Sequence, residues 1–160
     1  QLLKDYKGDI KIVYKHFVVH PQSATEPALT ACAAHLQGKF KTMYDLIWEK
    51  AYATRDFSPG KMEALAKEAG LKLAKFKADK DGACKEIVRT DQAQLQKVGT
   101  SGTPAFYING RFLSGARPID QFKTLIDEEL AKANKRIGAG EATAANYYKN
   151  FVIEKGKSSL

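Results

Sequence analysis

A two-residue turn, Asn109-Gly110, constrains the fold of this chain more than any other short stretch. Asn and Gly tolerate the positive φ angles that two-residue hairpin turns require, and apolar residues stand on both sides of the pair. We therefore predict a strand over 105–108, a tight turn, and a returning strand over 111–114.

The register of this hairpin follows from the length of its turn. Tyr107 should face Phe112, and Phe106 should face Leu113, so both faces of the hairpin carry apolar side chains. This pattern predicts that the strand before the turn is buried. Pro104 has no N–H to donate to a ladder, so it should stand where the strand begins, a position that tolerates a cis peptide bond.

A second strand is predicted over 10–19, IKIVYKHFVV, which is rich in β-branched and aromatic residues. Apolar side chains fall on both of its faces, as in a strand of a parallel or mixed sheet that is covered by helices on both sides. Lys11 and Lys15 should then lie near the ends of the strand or extend their amines to solvent.

Helical periodicity and capping residues mark the other elements. Residues 1–6 are expected to be the last turn of a helix already under way, 73–78 a link, and 156–159 a loose end. Helices are predicted over 26–37, 40–52, 59–70 and 79–97, from 118 to the glycine at 138, and over 142–154. Ser58-Pro59 supplies the start of the third helix, and Gly70 supplies its end.

The charge distribution argues against several classes of function. The chain has 26 Lys and Arg against 18 Asp and Glu, a net charge of +8, but its lysines are scattered among acidic residues without a basic block. This is typical of a solvated surface, and we expect no nucleic-acid partner. No apolar run reaches the length of a membrane span, and 1–8 is too polar for the core of a signal peptide. Because the chain has no initiator Met, we expect a targeting segment outside it rather than a cytosolic protein.

The two cysteines, Cys32 and Cys84, lie far apart and form no Cys-x-x-Cys or zinc-site spacing, so we expect no metal. Each lies on the apolar stripe of a predicted helix, and two interpretations stay open: buried structural thiols, or a disulfide that joins the two helices. A catalytic pair fits less well, since neither stands at a helix start beside a cation. His16, His20 and His35 are expected to be structural, because no catalytic triad, carboxylate pair or phosphate loop can be assembled from the spacing.

Three stretches of sequence, in this order of elements, resemble one family. Residues 12–17 (IVYKHF), 33–40 (AAHLQGKF) and 98–110 (VGTSGTPAFYING) are similar to DsbA-like thiol-disulfide oxidoreductases of the thioredoxin fold, and the resemblance runs from Tyr6 to Ala133. The resemblance implies an α/β fold with a thioredoxin-like central sheet.

The same resemblance implies a division of the chain. A helical subdomain would be inserted at about 26–97, the family domain would cover 1–137, and 138–160 would form a helical tail or linker.

A substrate-binding loop is also implied by the resemblance. In the family, the proline that corresponds to Pro104 is cis, and the residue before it, here Thr103, faces the catalytic dithiol and presents its backbone to an extended substrate peptide. Gly102, Thr103 and Pro104 would thus bind cysteine-containing polypeptides, without a cofactor, in the periplasm or elsewhere outside the cytoplasm. The residues alone also allow a tight turn into an edge strand at Pro104 and a solvent-facing hydroxyl at Thr103.

The family's Cys-x-x-Cys and N-terminal strand have no counterpart in the sequence, so we expect no catalytic residue in this chain. By the family's order, both would lie upstream of Gln1. We expect either a truncated domain, which the start within a helix favours, or a parent protein that has lost the motif. The missing strand would lie between the strands at 10–19 and 105–108, and its loss would leave their backbone groups unpaired. We expect that the two strands close up, that a second copy fills the gap in a strand-exchanged homodimer, or that upstream residues supply the strand.

These observations predict a part of a thiol-disulfide oxidoreductase that acts on extended polypeptides, carrying the cis-Pro loop but not the redox dithiol. The alternative from another class is a non-catalytic thioredoxin-fold module that binds peptides or serves as a scaffold. The tail at 138–160 would suit this alternative as a linker to a neighbouring domain.

Overall fold

The computed structural model describes residues 1–155 and divides them between two compact units. The hairpin unit contains Gln1–Tyr14 and the described residues from Lys97 onward, and the helical unit contains Lys15–Gln96.

The hairpin unit is built on a long helix. Its elements are α1 (Leu2–Asp5), β1 (Ala105–Ile108), β2 (Arg111–Ser114), α7 (Ile119–Gly138) and a π-helix, π2 (Tyr148–Ile153). The Tyr6 hydroxyl donates a 2.6 Å hydrogen bond to the carboxylate of Asp127 on α7, which raises the pKa of Tyr6 to about 12. An ion pair of 2.8 Å between Asp5 and Lys123 also links α1 to α7.

The helical unit is built from five α-helices and one π-helix. They are α2 (Pro21–His35), α3 (Phe40–Leu46), its continuation π1 (Ile47–Tyr52), α4 (Pro59–Glu68), α5 (Leu73–Asp81) and α6 (Ala83–Lys97), whose last residue belongs to the hairpin unit. The fully buried side chains of its core include those of Cys32, Met43, Met62, Phe76 and Cys84. These helices therefore share one apolar core.

The ends of α4 confirm the capping residues predicted from the sequence. The Ser58 side-chain oxygen accepts a hydrogen bond from the backbone N–H of Lys61 at 3.3 Å, and Pro59 occupies the first helical position. At the other end Gly70 has a φ of 72°, and the N–H of Leu71 donates to the carbonyl of Ala66 at 3.0 Å. The left-handed conformation of Gly70 turns the chain so that the N–H of Leu71 satisfies one of the last carbonyl groups of the helix.

The β-hairpin is present with the predicted register. β1 and β2 are antiparallel, Phe106 is paired with Leu113, and Tyr107 is paired with Phe112. Asn109 and Gly110 both have positive φ angles, 46° and 87°. The turn sequence alone was therefore sufficient to predict this element.

The predicted burial of the hairpin's first strand is wrong. Phe106 is 37% exposed, and the other three residues of β1 are only half-buried. Phe106 packs edge-on against Phe122 of α7, with ring centroids 4.7 Å apart. A two-stranded ribbon packed on one helix buries its residues only in part, whereas the prediction assumed a wider sheet covered on both faces.

The predicted strand at 10–19 is absent, since β1 and β2 are the only strands in residues 1–155 and they pair with each other. The backbone N–H groups of His16 and Val18 are bonded instead to the side chains of Asp91 and Gln92 on α6, at 2.9 and 2.7 Å. Residue composition marks a segment as suitable for a strand, but a strand also requires a partner. No described strand offers one.

Two helix boundaries also differ from the prediction. The link predicted at 73–78 is the helix α5, in which Phe76 is 1% exposed, and a break at Gly82 delays the start of α6 to Ala83. The chain over 22–25 is helical because Pro21, which suits the first turn of a helix, starts α2 before the predicted position.

The remaining helices lie close to their predicted positions. The segment 40–52 is helical throughout, although it changes from α3 to π1 at Ile47, and α7 begins directly after Pro118. The tail helix is shorter than the predicted 142–154, since only π2 is formed there. The loose end predicted at 156–159 lies outside the described residues.

Candidate functional site

The loop before β1 contains the residues predicted to bind substrate. The Thr103–Pro104 peptide bond is cis. Thr103 and Pro104 are exposed, and Gly102 is half-buried. All three residues belong to the hairpin unit.

Two hydrogen bonds hold the base of this loop to the hairpin. The Tyr107 hydroxyl donates to the backbone carbonyl of Val98 at 3.0 Å, and its oxygen lies 2.8 Å from the Thr100 hydroxyl. Because the single proton of the phenol is directed to Val98, Thr100 acts as the donor to Tyr107. Thr100 is only 5% exposed, so this bond satisfies a buried polar group and fixes the start of the loop.

The hydrogen-bond pattern of the hairpin shows which backbone groups face away from β2. The N–H of Gly115 donates to the carbonyl of Pro104 at 2.9 Å, which extends the ladder by one step. Bonded pairs alternate along an antiparallel ladder, so the backbone groups of Ala105 and Tyr107 point to the outer edge of β1. No described strand pairs with that edge, and no hydrogen bond of Thr103 is formed within residues 1–155.

The two cysteines form a disulfide in the helical unit. Cys32 on α2 and Cys84 on α6 are bonded, with their Cα atoms 5.7 Å apart. Cys32 is 2% exposed and Cys84 is fully buried, so neither sulfur is accessible to a polypeptide substrate. The bond joins two helices whose cysteines are 52 positions apart in the sequence.

A group of polar side chains holds residues 15–18 against α6. Asp91 accepts a hydrogen bond from the Lys15 amine at 2.6 Å and one from the backbone of His16. Burial lowers the pKa of His16 below its usual value, against the attraction of Asp91, and His35 and Lys15 lower it further. Folding therefore shifts the imidazole of His16 toward its neutral form.

Sequence reasoning missed these polar contacts. Asp91 and Gln92 bond to backbone groups 75 and 74 positions away, and no local pattern marks such a pairing. The sequence assigned Tyr107 only to the packing of the hairpin, although Thr100 lies only seven positions before it. A tyrosine predicted in a strand, with a threonine in the preceding loop, is the one signal that could have indicated the bond.

No group of three or more His, Cys, Asp or Glu side chains within 1–155 is arranged to hold a metal ion. None of the helices found in this part of the chain combines the length and apolar character needed to cross a membrane.

Known proteins similar to this chain include sodium–proton antiporters. The Na(+)/H(+) antiporter NhaA 3 of Salinispora tropica is 33% identical over 146 residues, which cover 88% of this chain and 21% of the antiporter. The Na(+)/H(+) antiporter NhaA 1 of Salinispora arenicola is 32% identical over 142 residues, which cover 85% of this chain and 21% of the antiporter. The chain thus spans about a fifth of the length of these curated relatives.

No solved structure matches the chain. The family model of the DSBA-like thioredoxin domain matches residues 1–127, and the chain therefore belongs to that family, with the α/β thioredoxin-like fold predicted from its sequence.

Proposed function

We propose that this chain is the polypeptide-binding part of a thiol-disulfide oxidoreductase, with Gly102, Thr103 and Pro104 as the loop that receives an extended substrate. The observation that carries the proposal is the exposed, unbonded backbone of Thr103 in a chain of the DSBA-like family. Thr103 is exposed, and neither its backbone nor its hydroxyl is hydrogen-bonded within residues 1–155. An extended peptide that aligns beside it can use these groups as a further strand would.

The outer edge of β1 continues this surface. Ala105 and Tyr107 direct their N–H and C=O groups to that edge, so a bound peptide could pair with Thr103 and then with β1. The Tyr107 hydroxyl holds the loop at Val98, which keeps the loop and the strand in one arrangement before substrate arrives. Such preorganisation lowers the entropy lost on binding.

The proposed reaction is disulfide exchange with cysteine-containing polypeptides outside the cytoplasm. The attacking thiolate would come from a dithiol that these 160 residues do not contain, because Cys32 and Cys84 are bonded and buried. The proposal keeps the division into a domain over 1–137 and a tail over 138–160. The other proposed partner is a second copy of the chain in a strand-exchanged homodimer, which would use the same outer edge of β1 and so compete with the peptide.

Binding of a reduced, unfolded, cysteine-containing peptide tests the proposal. Thr103→Arg should weaken binding at least ten-fold, because the larger side chain obstructs the loop. Thr124→Arg is the matched control, since Thr124 is exposed on α7 of the same unit and the substitution adds the same charge. Equal affinities of the two variants, measured by fluorescence anisotropy, would contradict the proposal.

A second candidate function is favoured by the relatives. Sodium–proton antiporters match 85–88% of this chain while the match occupies only 21% of their length. The chain would then be a non-catalytic DSBA-like module that binds peptides or acts as a scaffold within a larger protein of that kind. Assay of the full-length protein with a disulfide-containing peptide distinguishes the two: turnover supports the oxidoreductase, and binding without turnover supports the module.

A further inference from the structure

A pocket of about 320 Å³ lies between the turn of the hairpin, α7 and π2. It belongs entirely to the hairpin unit. The residues that matter for its chemistry, which define what we call the tail pocket, are Asn109, Glu129, Lys132, Arg136, Phe151 and Lys155.

Three elements build the tail pocket. Glu129, Lys132 and Arg136 stand at helical spacing on α7, so their side chains project from one face. The hairpin turn closes another side: a Cβ placed on Gly110 would lie 4.0 Å from Val152 in π2. The tail is thus packed close to the hairpin turn.

The one carboxylate of the tail pocket is already neutralised. Glu129 is 7% exposed and accepts a hydrogen bond from the Lys132 amine at 2.6 Å. The guanidinium of Arg111 also lies 3.5 Å from it. Glu129 therefore adds little repulsion toward an anion in the pocket.

The ring of Phe151 holds two further cations at the tail pocket. The guanidinium carbon of Arg136 lies 4.4 Å from the ring centroid, and the amine of Lys155 lies 4.3 Å from it. Arg136 pairs with the exposed carboxylate of Glu141 at 2.7 Å. Among the carboxylates of residues 1–155, none is within 4.0 Å of the Lys155 amine, and aromatic contact does not neutralise its charge.

We propose that the tail pocket binds a phosphate group, either of a free phosphate compound or of a lipid headgroup. Lys155 supplies the positive charge that no described carboxylate offsets, and Lys132 and Arg136 add N–H donors whose charges are offset by Glu129 and Glu141. A phosphate presents several acceptor oxygens with up to two charges to these donors. The Asn109 side chain, which has no hydrogen bond within the described residues, supplies a neutral donor.

The tail pocket is separate from the proposed substrate loop. Pro104 precedes the first residue of β1, whereas Asn109 follows its last, so the five residue steps from one to the other separate them by about 17 Å. Loss of one binding activity would therefore leave the other measurable.

Titration calorimetry of the full chain with inorganic phosphate, at low and constant ionic strength, tests the proposal. We expect saturable binding that Lys155→Gln weakens about five-fold, the effect of one charge at about 4 Å in water. Lys149→Gln is the matched control, because Lys149 lies in π2 but outside the pocket, and it should bind like the wild type. Circular dichroism of both variants establishes that they are folded.

Vesicles of phosphatidylglycerol, with phosphatidylcholine vesicles for comparison, provide the second arm. Sedimentation with the anionic vesicles that is lost in Lys155→Gln and retained in Lys149→Gln would support a lipid phosphate. Binding of inorganic phosphate alone would support a free phosphate compound. Absence of binding in both arms, or equal weakening by the two variants, would overturn the proposal.

Discussion

Removal of the Cys32–Cys84 disulfide should destabilise the helical unit by about 4 kcal/mol. The magnitude follows from the loop that the bond closes: a crosslink between residues 52 positions apart removes about 14 cal/mol/K of entropy from the unfolded chain. For a unit of this size, about 4 kcal/mol corresponds to a decrease in Tm of roughly 20 °C.

The variants that test this value are Cys32→Ala, Cys84→Ala and the double substitution. The crosslink requires both sulfur atoms, so each single variant should lose nearly as much stability as the double variant. The second substitution then costs only its own small cavity, about 1 kcal/mol, because both positions lie in the core. Thermal unfolding followed by circular dichroism at 222 nm measures the three differences.

Accessibility of the bond provides a second readout. Since Cys32 is 2% exposed and Cys84 is buried, dithiothreitol should not reduce the folded wild type, and intact mass after alkylation should show no modified thiol. Reduction should proceed once urea unfolds the chain. Additive effects of the two single substitutions, or two alkylated thiols in the folded protein without reductant, would refute the reasoning.

Three further predictions concern single substitutions, each read from chemical or thermal unfolding. Tyr107→Phe should lower the free energy of unfolding by about 1–3 kcal/mol, because it leaves the Thr100 hydroxyl and the Val98 carbonyl without their partner. Tyr148→Phe, at a 55% exposed position, should be neutral, and equal effects of the two substitutions would contradict the prediction. The pKa of His16 is lowered in the folded state, so its stabilising contribution is present above pH 6.5 and is lost as the pH falls below that value. His16→Gln should remove this part of the pH dependence of the free energy of unfolding. An unchanged dependence between pH 7.5 and 5.5 would be evidence against it. Gly110→Ala should lower the free energy of unfolding by about 1 kcal/mol, because the φ of 87° disfavours a residue with a Cβ. Gly60→Ala in α4 should raise it by up to about 1 kcal/mol. A neutral Gly110→Ala would show that the turn adapts to the new side chain.

Local signals were sufficient where neighbouring residues decide the conformation. Asn109-Gly110 predicted the hairpin and its register, because a two-residue turn leaves only one pairing between the flanking strands. Ser58-Pro59 and Gly70 similarly predicted both ends of α4. In each case the residues that determine the turn or the helix end lie at that turn or end.

Sequence patterns gave wrong predictions where distant residues decide the conformation of a segment. Residues 10–19 have strand composition, but the backbone of His16 and Val18 is bonded to side chains of α6 more than 70 positions away. The charged segment at 73–81 forms the helix α5, in which Phe76 packs into the core of the helical unit. The sequence does not show that core, so the helix was not predicted. The bond between Thr100 and Tyr107 at the candidate site is local in sequence, but it depends on the path of the intervening loop.

The most direct test of the proposed polypeptide binding is a nuclear magnetic resonance titration of the ¹⁵N-labelled chain with a reduced, unfolded, cysteine-containing peptide. We expect saturable shifts of the backbone amides of Thr103, Ala105 and Tyr107, which lie in the loop or on the outer edge of β1. The amides of Phe106 and Ile108, which face β2, should shift less. Saturable binding that leaves the amides of Thr103, Ala105 and Tyr107 unshifted would contradict it.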